Sequence, residues 1–106
     1  MNALKAKVKV NWIPSEQGGR VALPDTEKYS TVSKFKEDDW KEVIWSVVLE
    51  FAQSPKSQGN LSIGECYFLN DEAAPHERLY LGNEFELYEG QKKVAFVQII
   101  SDPVPR

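Results

Sequence analysis

Between residues 4 and 12 the chain reads LKAKVKVNW, with Leu4, Ala6, Val8, Val10 and Trp12 in one phase and Lys5, Lys7, Lys9 and Asn11 in the other. A period of two sends successive side chains to opposite faces of an extended backbone. The stretch therefore reads as a β-strand with one face in a core and one in water. The lysines form an exposed basic row that also discourages pairing at a sheet edge.

The rest of the chain continues in the same style. Two prolines and two glycines between Pro14 and Pro24 break the first strand and turn the chain. EKYSTVSKF, residues 27 to 35, reads as a second strand. DDWKEVIWSVVLEFA carries two periodicities at once. Trp40, Val43, Ile44, Val47, Val48 and Phe51 recur at helical spacing behind Asp38 and Asp39, which would cap a helix. Val43, Trp45, Val47, Leu49 and Phe51 fall in period two, and the density of β-branched and aromatic residues favours the extended form. A strand is the expectation there.

SPKSQGN, residues 54 to 60, is a polar turn, and LSIGECYFL resumes as a strand through Leu69. After the loop NDEAAPHER come LYLGNEFELY as a strand, a turn at Glu89-Gly90-Gln91, and KKVAFVQIIS as the last strand. In that last strand both phases are apolar, with Val94 and Phe96 on one side and Ala95, Val97 and Ile99 on the other. An outer apolar row on a single-layer barrel points to a covering loop or another chain, which makes Ala95, Val97 and Ile99 a candidate interface.

Length and charge narrow the classes. A chain of 106 residues fits one domain, residues 1 to 106. Its formal charge of -3 argues against strong nonspecific attraction to nucleic-acid phosphates. There is no continuous apolar run of the length a secretory signal or a membrane span requires, so a cytoplasmic protein is expected. Cys66 is the only cysteine, which leaves no internal disulfide and no thiolate metal cluster.

The order of signals resembles a known family. A strand is followed by Glu16-Gln17-Gly18-Gly19-Arg20, Pro24 and Tyr29, and much later by Gly82, Phe85, Glu89-Gly90 and Val94. This is similar to the carboxy-terminal β-barrel domain of elongation factor Tu, here standing alone, and the likeness runs from about Leu4 to Ser101. The resemblance implies an all-β fold, a six-stranded antiparallel Greek-key barrel whose closure removes exposed sheet edges. It also implies a domain without catalysis of its own, one that contacts other protein domains and structured RNA. Gly18, Gly19, Arg20, Glu89 and Gly90 inherit the binding role by similarity. The chain departs from the family at two neighbours of these residues, with Val21 after the arginine and Tyr88 before the Glu-Gly turn. No GxxxxGK[ST] loop occurs, so nucleotide hydrolysis is not expected.

The remaining reactive side chains point to little chemistry. Arg20 presents a fork of donors that suits phosphate, or it braces its own loop against Glu16 or Asp25. Cys66 and His76 would form a nucleophile and base if they met, in an enzyme or small-ligand barrel. Cys66, however, shares its phase with Gly64 and Phe68, as a packed core residue does. His76 is the only histidine and lacks the companions of a metal site, so no metal or cofactor is expected. The expectation is a non-catalytic module that binds another protein or itself, with structured RNA as the second partner class. An immunity or regulatory protein that mimics a translation factor is the further alternative.

Overall fold

The alternation at the start of the chain becomes strand β1, Leu4–Trp12, in which Ala6, Val8, Val10 and Trp12 are buried. The computed structural model describes residues 3–37, 45–70 and 72–106. The strands that follow are β2 (Lys28–Phe35), β3 (Trp45–Glu50), β4 (Leu61–Phe68), β5 (Glu84–Glu89), β6 (Lys92–Ile99) and the short β7 (Val104–Pro105). One helical turn, Pro55–Gln58, lies between β3 and β4. Among the described residues no helix is long and apolar enough to cross a membrane.

All pairings are antiparallel, in the order β4-β3-β2-β5-β6-β1-β7, and a further β1–β4 pairing closes the first six into a barrel. The three consecutive strands β2, β3 and β4 form a meander, and β5 returns beside β2, which is a Greek key. Strand β1 is thus not an edge. It runs between β4, in register Ala6↔Cys66 to Asn11↔Leu61, and β6, in register Val8↔Ile99 to Trp12↔Ala95. Its lysines solvate the outer wall and guard no edge.

Each of the six barrel strands turns one row inward. Phe35 stacks on Phe85 with ring centroids 4.3 Å apart and also meets Phe68 at 5.7 Å. In β3 the extended reading holds over Trp45–Glu50, where the period-two residues Val47 and Leu49, with Phe51 beyond, enter the core. Asp38, Asp39, Trp40, Val43 and Ile44 lie outside the described residues.

Three differences from the sequence reading have physical causes. Residues 79 to 83 are a turn and not the first half of β5. Leu79 plugs the core, and buried Asn83 donates from Nδ2 to the Arg78 carbonyl at 2.7 Å while its Oδ1 accepts from Glu84 N–H at 2.9 Å. An amide side chain that satisfies neighbouring backbone groups competes with the sheet ladder. Second, β7 is an addition. It continues the line of β6 along β1, pairing Leu4 with Pro105 and Lys5 with Val104.

The third difference overturns the candidate interface. Leu87 pairs with Ala95 but Tyr88 with Lys93, so Val94 is an extra residue in β6. Such a bulge puts two neighbouring side chains on one side of the strand, and Val94 and Ala95 are both fully buried. Ala95, Val97 and Ile99 therefore face the barrel interior and form no interface. The two apolar phases of β6 arise from one inward row with a shift of parity at Val94. The outward row beyond the bulge is Phe96 and Gln98.

Candidate functional site

Two places on the barrel gather polar side chains. The first is the rim where the loop after β1 folds back. Pro14 offers its carbonyl to the N–H groups of Gln17 and Gly19, at 2.9 and 3.0 Å, which winds the chain into a tight turn. Gly18 takes a positive φ of 94°, and a Cβ on Gly19 would overlap the Ile13 carbonyl oxygen. One glycine serves a left-handed backbone and the other a close approach. Gly90 opens the two-residue turn between β5 and β6 with φ 63°, as the first position of a type II′ hairpin requires.

These turns deliver Arg20 to Glu89. The guanidinium donates from an Nη to Glu89 Oε2, the Tyr29 hydroxyl donates to the same oxygen, and Arg20 Nε donates to the Ala22 carbonyl at 3.0 Å. The guanidinium carbon sits 5.5 Å from the Tyr29 ring centroid. Tyr29 meets Trp12 edge-on at 5.3 Å, and Trp12 Nε1 donates to Ser62 Oγ at 3.1 Å. Burial and the bond to Glu89 push the Tyr29 hydroxyl well above its ordinary range, which keeps it a donor. Burial works against the Arg20 charge, but hydrogen bonding and charge at Glu89 together with Tyr29 more than offset it, and its pKa is raised.

The rim therefore brings together all five residues singled out by the family resemblance: Gly18, Gly19, Arg20, Glu89 and Gly90. Each has a structural task there. The brace of Arg20 is Glu89, and neither Glu16 nor Asp25 takes that place.

The second place is the outer wall of β1, β6, β5 and β2, which holds a groove of about 720 Å³. Strand register builds it in two rows. Asn11, Phe96, Glu86 and Lys34 stand in line across the four strands, and Lys9, Gln98 and Glu84 stand in the next line. Lys36, which also lines the groove, is the first residue past β2 and follows Phe35, the partner of Phe85. Phe96 is 49% exposed, and on the β4 side Leu61 and Ile63, at 54% and 44%, stand beside Asn11 and Lys9.

The charges in this groove are unevenly spent. Glu86 holds Lys93 at 2.9 Å and accepts from the Tyr88 hydroxyl at 2.8 Å. Burial opposes ionisation of Glu86, but those two donors outweigh it and keep its carboxyl below the usual range. Lys93 in turn lies 5.1 Å from the Phe96 ring centroid, and Lys34 lies 4.6 Å from that of Tyr88. Among the described residues neither Lys9 nor Lys36 makes an ion pair.

Cys66 and His76 are not assembled into a site. Cys66 is fully buried between Ala6 and Leu49, and burial pushes its thiol far above the range in which a thiolate forms. His76 packs edge-on against Phe68 at 5.8 Å, and no hydrogen bond joins it to Cys66. Phe96, Leu61 and Ile63 escaped the sequence reading. Gln98 was the available signal: a polar residue in the phase of Phe96 marks that phase as outward. No protein-family model matches the chain, and no curated protein matches it.

Proposed function

We propose that this chain is a non-catalytic binding module, a barrel like the carboxy-terminal domain of elongation factor Tu, that docks another protein on its outer wall around Phe96. One observation carries the reading. A half-exposed phenylalanine sits mid-wall over a groove, and two half-exposed aliphatic side chains, Leu61 and Ile63, stand on β4 across β1 from it. Large apolar side chains left exposed on a sheet face are what partner proteins cover.

Magnitudes say how much the patch can contribute. Covering the exposed halves of Phe96, Leu61 and Ile63 is worth about 1 kcal/mol each, roughly 3 in total, against about 8 for a micromolar complex. Hydrogen bonds and charges around the patch must supply the remainder, and the amides of Asn11 and Gln98 with the lysines of the groove are placed to do so.

A cytoplasmic setting belongs to the same reading, supported by a lone cysteine kept as a buried thiol. Structured RNA is the weaker partner class, because Glu84 and Glu86 stand in the groove where a phosphate chain would run. The test is a comparison of two baits, the natural chain and Phe96→Glu, by quantitative affinity purification. Each protein lost with the variant is then produced separately and titrated against both. Loss of affinity on substitution is the expected result; a purified partner that binds both baits equally removes Phe96 from the interface and defeats the reading.

A further inference from the structure

We propose, resting on the docking reading above, that the occupant of the outer groove is an extended acidic segment of a partner protein. Its carboxylates meet Lys9 and Lys36, and an apolar side chain between them covers Phe96. Strand register sets the geometry. Lys9, Gln98 and Glu84 stand in one line across β1, β6 and β5, and Lys36, which follows the Phe35↔Phe85 pair at the end of β2, lines the same groove, so a lysine stands at each side of it.

Three strand spacings of about 4.8 Å separate β1, which carries Lys9, from β2, which Lys36 follows, roughly 14 Å in all. An extended peptide rises about 3.3 Å per residue, and its residues i, i+2 and i+4 share one face. Carboxylates four positions apart therefore reach the two lysines, with residue i+2 facing the middle of the groove. The middle is where an acid is excluded. Glu84 stands in the line itself, and Glu86 stands next to Phe96 in the neighbouring row.

The pattern that fits is acid, any, apolar, any, acid. Charge complementarity favours it at the ends, because Lys9 and Lys36 have no ion-pair partner among the described residues. Glu86 is already engaged by Lys93 and Tyr88 and draws nothing from those lysines. A nucleic acid fits less well, since it cannot interrupt its negative charge over the two glutamates.

The experiment titrates three pentapeptides, capped at both ends, into the isotope-labelled protein and follows backbone amide shifts. They are Glu-Ser-Phe-Ser-Glu, its rearrangement Phe-Ser-Glu-Ser-Phe, and the charge-reversed Lys-Ser-Phe-Ser-Lys. The first is expected to shift amides of β1 and β6, more tightly than the other two. Joint replacement Lys9→Glu and Lys36→Glu is expected to weaken it on the order of tenfold, the scale of two exposed ion pairs lost. The amide spectrum of the double variant reports its fold.

Equal binding of the three peptides overturns the proposal. So does the absence of shifts at millimolar peptide, or tighter groove binding by a uridine pentanucleotide. The two readings fail separately. A natural partner lost with Phe96→Glu but bound unchanged by the lysine double variant defeats the acidic segment and leaves the docking wall standing. A peptide lost with the lysines, beside partners indifferent to Phe96, defeats the docking reading and leaves the acid-binding groove.

Discussion

The rim and the outer wall are both polar, and they use their polar groups in opposite ways. At the rim, Arg20 and Tyr29 converge on one carboxylate, Glu89, and the same contacts hold the loop after β1 against the β5–β6 hairpin. On the wall, Lys9 and Lys36 stand at the two sides of the groove and form no ion pair within the described chain. A side chain already satisfied by its own fold has little left to give a partner, since binding would first have to break that contact. Family resemblance directs attention to the rim. The distribution of spent and unspent charge directs it to the wall.

Mutations can break this contrast, and the largest effect belongs to the rim. Gly19→Ala places a methyl group against the Ile13 carbonyl, and a loss of about 3 kcal/mol or more is expected in a denaturant titration. Gly18→Ala has room for its methyl but strains a left-handed backbone, so about 1–2 kcal/mol is expected by the same measurement. Glu89→Ala removes the shared acceptor of Arg20 and Tyr29 and is expected to cost about 1–2 kcal/mol. If Glu89→Ala were neutral to stability, the rim would not be a structural brace and the comparison would collapse.

The wall is expected to respond least. Phe96→Ser and the joint exchange of Lys9 and Lys36 to glutamate should each leave the unfolding free energy within about 0.5 kcal/mol of the natural chain, because the lysines hold no ion pair among the described residues and half-exposed Phe96 gives up little beyond its contact with Lys93. The pair of Glu86 and Lys93 gives a small pH signature. Glu86 is depressed in the fold, so its contribution is present above its ordinary value of 4.5 and is lost as pH falls through the lower folded value. Lys93 is raised above 10.5, chiefly by its bond to Glu86, so its contribution is lost as pH rises through that higher value. At under about 1 kcal/mol the effect is best read as a shallower acid loss of stability in Glu86→Gln, followed by thermal unfolding across pH.

Much of the barrel was legible because parity is a local property. The bounds of β1 follow from Leu4 to Trp12 alone, and β4 and β6 were read to within about two residues of where they lie. The strand-rich reading followed from such stretches, and closure into a six-stranded barrel was what the family resemblance implied. What stayed hidden depends on partners far along the chain. Val94 reads as an ordinary inward residue until the register of β5 shows that it is the bulge, and only then do Ala95, Val97 and Ile99 turn inward as well. Glu89 lies 69 positions from Arg20, and nothing near the arginine announces it. Asn83 delays the start of a predicted strand through bonds that composition does not encode. For the candidate site, the lysine row of β1 was visible as a solvated face, but its place in one groove with Phe96 and Lys36 exists only across the sheet.

The place of β1 in the barrel also bears on how the chain reaches its fold. Its partners are residues 61 to 66, 95 to 99 and 104 to 105, so nothing made soon after it can pair with it. During synthesis this apolar, alternating stretch waits unpaired while most of the polypeptide emerges, the situation in which strands find one another between molecules. Lys5, Lys7 and Lys9 then act as gatekeepers, their mutual repulsion keeping nascent copies apart until the cylinder can close.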